Sequence, residues 1–138
     1  MGNGTPPGSN LQTTLESLPD GVAVFTDDSA TVYINQRTSE MTGYTLAEIQ
    51  GMPPLGMALP DEREKIKERH QRRLQGQDAG NRYETTFLCK NGNPLPVEIT
   101  LSRLEWENQP ATLLLIRDIT ERRKFEKALR QSEEDFRA

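Results

Sequence analysis

RYETTFLCKNGNPLPVEITLSRLEWENQPATLLLIRDI, residues 82–119, reads as three β-strands in succession with no helix between them. RYETTFLCK meets PLPVEITLSRLEW across Asn91-Gly92, a dipeptide that suits the positive φ angles of a tight hairpin. Glu107-Asn108-Gln109-Pro110 then turns the chain into ATLLLIRDI. Upstream, GVAVFTDD and TVYIN form a further pair of short β runs about the turn Asp27-Asp28-Ser29. The order is two strands, then short helices, then three strands. Without β-α-β alternation, this predicts an α+β fold around one antiparallel sheet.

The segment between the two strand groups is helical in pieces. Asn35 is placed to cap a short helix that stops at Gly43. Thr45-Leu46-Ala47-Glu48 is a capping box, in which a hydroxyl and a carboxylate each satisfy an orphan amide, and Gly51 follows it. MPPLGMALP, residues 52–60, is irregular but apolar and is expected to pack on something. Pro60 suits a first helical position, with Asp61 and Glu62 at the positive end of the helix, Arg72 and Arg73 at the negative end, and Gly76 beyond. At the start of the chain, residues 1–9 are a polar Gly/Pro tail expected to be disordered. Residues 10–20 are expected to form a helix carrying Leu11, Leu15 and Leu18 on one side. Residues 21–119 make the core and 120–138 a charged helix.

At 138 residues and 15.6 kDa the chain has the size of one domain. Its net charge of −4 gives no electrostatic reason to expect nucleic acid. The basic run Lys65–Arg73 is broken by Glu68 and reads as a solvated helix face. The single cysteine, Cys89, can form no internal disulfide, which fits a reducing, cytoplasmic setting. No run approaches the roughly 18 apolar residues of a membrane span.

Four pieces taken together resemble the PAS domain, a sensory module of bacterial signalling proteins. They are LPDGVAVFTDD (18–28), TVYINQRTSEMTGYTLAEIQG (31–51), LPDEREKIKERHQRRLQG (59–76) and CKNGNPLPVEITLSRLEWENQPATLLLIRDITERRK (89–124). The resemblance implies a five-stranded antiparallel sheet cupping short helices on one face, flanked by N- and C-terminal helices. It implies sensing and relay, with no catalysis. The cup holds a ligand or is filled by side chains, and signals leave through the helix after Asp118-Ile119-Thr120, which match the family's DIT motif. Glu48 and Lys90 match positions that pair as a salt bridge in relatives.

In the terminal helix, Phe125, Leu129 and Phe136 follow coiled-coil spacing, with Ser132 completing the rhythm. With Leu11, Leu15 and Leu18 they are the expected homodimer interface. ALRQSEEDFRA (128–138) looks like the connector before a further PAS repeat, so a downstream output or PAS domain is the expected partner in a longer chain. No membrane contact is expected from this segment. The alternative is a ligand-free module for dimerisation and relay.

The expected cup lining takes Val24 and Ile34 from the first hairpin. Met41, Tyr44, Ile49, Met52, Leu55, Leu59, Ile66 and Leu74 come from the helical segment, and Tyr83, Phe87, Ile99, Leu101, Leu113 and Leu115 from the last three strands. This lining is apolar, with Tyr44 and Tyr83 as polar handles. It suits a small apolar guest or a filled core; a dicarboxylate would want an arginine inside. Haem would need His70, which shares a helical stripe with Ile66 and Leu74 but lies about one turn later than the family's ligand. The light-sensing flavin subgroup has a reactive cysteine after the short helix, where this chain has Gly51-Met52-Pro53-Pro54; flavin bound without that cysteine stays open. No Cys/His cluster suits zinc and no GxxxxGK[ST] loop suits a nucleotide. No catalytic residues and no metal site are expected.

Overall fold

The computed structural model describes residues 13–52, 56–77 and 80–137. The strands are β1 (Gly21–Thr26), β2 (Thr31–Ile34), β3 (Arg82–Leu88), β4 (Pro94–Trp106) and β5 (Gln109–Asp118). They form one antiparallel sheet in the order β2-β1-β5-β4-β3. Between β2 and β3 lie α1 (Gln36–Thr42), α2 (Leu46–Gln50) and α3 (Pro60–Leu74); α4 (Thr120–Arg137) follows β5. The five strands and the helices between them match the expected fold. Leu11 and Leu55 lie outside the described residues.

Local chemistry explains the element ends. The Asn35 side chain accepts from the Thr38 amide and the Thr45/Glu48 capping box is complete. Gly43 ends α1 at φ 82°, in the left-handed region that a Cβ would strain. The β3–β4 loop turns on Lys90 and Asn91, with the Gly92 amide donating to the Cys89 carbonyl and Gly92 itself left-handed at φ 89°. The β4–β5 turn is tighter than expected: Glu107 and Asn108 alone make it, both at positive φ, while Gln109 and Pro110 already belong to β5.

Both faces of the sheet are apolar, and this corrects part of the expected lining. Ala23, Phe87, Val97, Ile99, Leu101 and Ile116 form the buried cluster on the helix side, joined by Ile34, Met41 and Tyr83. Leu15, Val22, Val24, Trp106 and Ala111 form a second cluster, with Leu18, Leu113 and Leu115 packed against it. Val24, Leu113 and Leu115, expected in the cup, therefore face away from it. Their neighbours Ala23, Leu114 and Ile116 face in. Successive strand side chains point to opposite faces, and in central strands covered on both sides the apolar pattern carries no phase. Leu15 and Leu18, expected on a dimer face, are packed within their own chain. Leu74 is 41% exposed and does not line the interior.

Candidate functional site

Asn35 holds the front of the site together. It is 1% exposed, and its Oδ1 accepts from the Val22 amide at 2.9 Å and the Thr38 amide at 3.0 Å. Its Nδ2 donates to the carbonyls of Leu15 and Asp20, each at 3.1 Å. One side chain thus ties the N-terminal segment, β1 and α1. The spacing before α1 identified a cap; the longer reach to Leu15 depends on tertiary placement.

Of the expected lining, Ile34, Met41, Tyr83, Phe87, Ile99 and Leu101 do come together on the helix side of the sheet. Tyr44, Ile49, Met52, Leu59 and Ile66 are half-buried on the helical segment. Cys89 is buried, its thiol pointing to the Met41 carbonyl at 3.5 Å. Burial pushes its pKa up, so it stays a thiol and offers no activated nucleophile.

A polar end to this interior was not foreseen. Arg103, on β4, makes a bidentate pair with Asp27 at 2.7 and 3.1 Å and also donates to the Thr112 hydroxyl at 2.9 Å. The paired guanidinium holds the Asp27 carboxyl below its usual range. His70 reaches the same end from α3. Its ring meets Phe25 edge to face, centroids 5.3 Å apart, and both ring nitrogens are buried without a hydrogen-bond partner. Burial lowers the His70 pKa, with Arg73 and Arg103 adding to the effect and Asp27 opposing it. A haem fits poorly here, because the ring already lies against Phe25 and two arginines and a carboxylate surround it. Arg69, next to His70 in the chain, lies 4.6 Å over the Tyr83 ring, a cation–π contact. Among the described residues, no group of three or more His, Cys, Asp and Glu side chains could hold a metal ion.

The exit from the sheet is the best-defined part. Asp118 Oδ1 accepts from the Thr120 amide at 2.8 Å, capping the turn into α4, and the Ile119 amide donates to the Pro96 carbonyl at 3.1 Å. Ile119 itself is 2% exposed. One turn on, Arg122 pairs with Glu84 and reaches Glu98 at 3.7 Å, while Arg123 donates to Glu84 at 2.9 Å. Glu84 and Glu98 face each other across β3 and β4, so the first turn of α4 is pinned to two strands. The paired arginines, Arg123 foremost, depress the Glu84 pKa. These four residues carry no motif, and only the cross-strand register brings the two carboxylates together. Beyond that turn Phe125, Leu129 and Phe136 are 74%, 62% and 92% exposed. In the β3–β4 loop Lys90 does pair with Glu48, the expected bridge.

Comparison with known proteins gives a consistent result. The family described as PAS fold matches residues 15–124. The sensor histidine kinase TmoS of Ectopseudomonas mendocina is 26% identical over 123 residues, which is 88% of this chain and 13% of TmoS. Sporulation kinase A of Bacillus subtilis is 28% identical over 123 residues, 88% of this chain and 20% of the kinase. The chain therefore spans a fifth or less of the relatives it matches. Among solved structures, a PAS domain from Desulfitobacterium hafniense superposes with a TM-score of 0.67 at 19% identity, covering 77% of this chain and 98% of that one.

Proposed function

Because this chain belongs to the PAS family, we propose that it is the sensory module of a multidomain signalling protein, without catalysis of its own. A small molecule or redox cue acts in the cup, and α4 carries the response to an output domain or a further PAS domain. The observation that supports this most is the exit geometry. The first turn of α4 is bonded to β3, β4 and β5, while its later apolar residues are exposed. A shift of the sheet then has to move the base of the helix. Switching requires two states of different affinity for the cue, and the bonds at the base are where those states would differ. Among the described residues no helix is long and apolar enough to cross a membrane, which is compatible with a cytoplasmic position. The test is Asp118→Ala in the full-length protein. Output should become insensitive to the cue while cue binding persists; normal switching in that variant would remove the junction from the mechanism.

A second reading, ligand-free dimerisation and relay, is favoured by two observations. The interior is filled by Val97, Ile99 and Ile116, and the Phe125/Leu129/Phe136 stripe has no cover. Leu129→Asp should lower self-association in sedimentation experiments if the stripe is a homodimer seam. Unchanged association would dismiss that seam.

A further inference from the structure

Where β4 outruns β3 the inner face of the sheet is open. Arg82, the first residue of β3, pairs with Thr100, and the Leu101 amide still donates to the Asn81 carbonyl at 2.8 Å, so among the described residues β4 has no strand partner on that side from Ser102 onward. The end of α3 borders this edge, and a groove of about 560 Å³ is lined by Arg73, Gln77, Gly80, Asn81, Leu101, Ser102 and Arg103. Among the described residues the lining holds two guanidiniums, two side-chain amides and a hydroxyl, and no carboxylate.

The charges in this groove are unevenly matched. Arg103 shares its charge with Asp27 in a bidentate pair. Arg73 donates to the Gly80 carbonyl at 2.9 Å, and among the described residues no carboxylate lies within ion-pair distance of Arg73 or of Arg69. Burial lowers the Arg73 pKa, and the neighbouring charges of Arg103 and Arg69 lower it further, against an opposing effect of Tyr83. An anion would relieve this crowding of positive charge. Guanidinium forks match carboxylate geometry, and Arg103 already displays that match with Asp27.

We propose that this groove binds a small polycarboxylate, with Arg73 as the principal anchor, Arg103 as the second cation, and Asn81 and Ser102 as neutral donors. This deepens the sensory reading above and rests on it for its signalling meaning. Leu101 forms the floor of the groove and belongs to the buried inner cluster, so an anion held here sits on the same core that carries β5 and its exit.

The probe is citrate, titrated into the chain at constant ionic strength and followed by calorimetry and by backbone amide shifts, with inorganic phosphate as a parallel arm. Expected is a saturable isotherm with Kd below about 1 mM and shifts centred on Arg73, Asn81, Ser102 and Arg103. Arg73→Gln should weaken binding at least about tenfold, and Asp27→Asn, which frees Arg103, should tighten it several-fold. Both variants are repeated with Asp78→Asn, which removes the carboxylate next in sequence to Gln77. No saturable binding, binding unchanged in Arg73→Gln, tighter binding of phosphate than of citrate, or binding only with Asp78→Asn would overturn the site. Citrate binding at the groove with no change in α4 would leave the site standing and count against the relay. A response of α4 to another compound with no citrate binding would do the reverse.

Discussion

Asn35, which is buried, and His70, which is half-buried with both ring nitrogens shielded from solvent, behave very differently. Asn35 has a partner for every polar atom, so its loss leaves the Val22 and Thr38 amides and the Leu15 and Asp20 carbonyls short of a bond. Asn35→Ala should therefore cost about 2–4 kcal/mol in urea unfolding, far above the effect of an exposed cap. His70 has no well-formed hydrogen bond at either ring nitrogen, although the Asp27 backbone lies beside it, and it is the only histidine in the chain. Its folded pKa lies below the ordinary 6.5, so the unfolded chain binds its proton first as pH falls. The stability tied to neutral His70 is complete above pH 6.5 and is lost as pH drops through the folded value. His70→Phe should flatten the stability profile between pH 7 and 5.5; a slope equal to that of the parent chain would show that other groups govern it. The i, i+4 pattern placed His70 near the inward stripe, but its surroundings of Asp27, Arg73 and Arg103 come from three elements distant in sequence.

At the scale of elements, the β4–β5 hairpin contains a local conflict. Glu107 and Asn108 take φ values of 49° and 67°, which a two-residue turn of this hand requires and glutamate resists. Glu107→Gly should raise stability by about 0.5–1 kcal/mol without altering ligand binding, as read from the urea midpoint. The turn was legible as a turn, yet its exact residues were not, because Gln109-Pro110 looks like turn sequence and is strand sequence here. In α4, coiled-coil spacing puts Phe125 and Ser132 in one seam position and Leu129 and Phe136 in the other, flanked by Glu121, Glu126, Glu133 and Asp135. Two copies side by side would set acid against acid. If the helix pairs with itself, the dimer should tighten as salt is raised, measured by sedimentation between low and high sodium chloride.

The whole molecule joins a packed sheet to a helix that is held only at its base. Arg122 and Arg123 grip Glu84 there, and all three side chains are well exposed to solvent, so the grip adds little to stability. Its effect is on position. Glu84→Gln should leave the urea midpoint nearly unchanged and raise amide exchange over residues 120–124 several-fold. Acid should act in the same direction, because a carboxyl depressed below its ordinary 4.5 keeps the grip above that pH and loses it as pH falls through the folded value. Protection that stays the same in both conditions would assign the base of the helix to Asp118 and Ile119 alone. The succession of strands and helices along the chain, the hairpins, the capping box and the charged terminal helix were all determined by sequence, since each rests on residues a few positions apart whose backbone preferences are local. Which face of β1 and β5 lines the interior, the meeting of Arg103 with Asp27 and His70, and the closing of Glu84 and Glu98 on Arg122 were decided only in the tertiary structure. The reason is physical: strands buried on both faces hide their phase, and ion pairs between distant segments exist only once the sheet register sets them side by side.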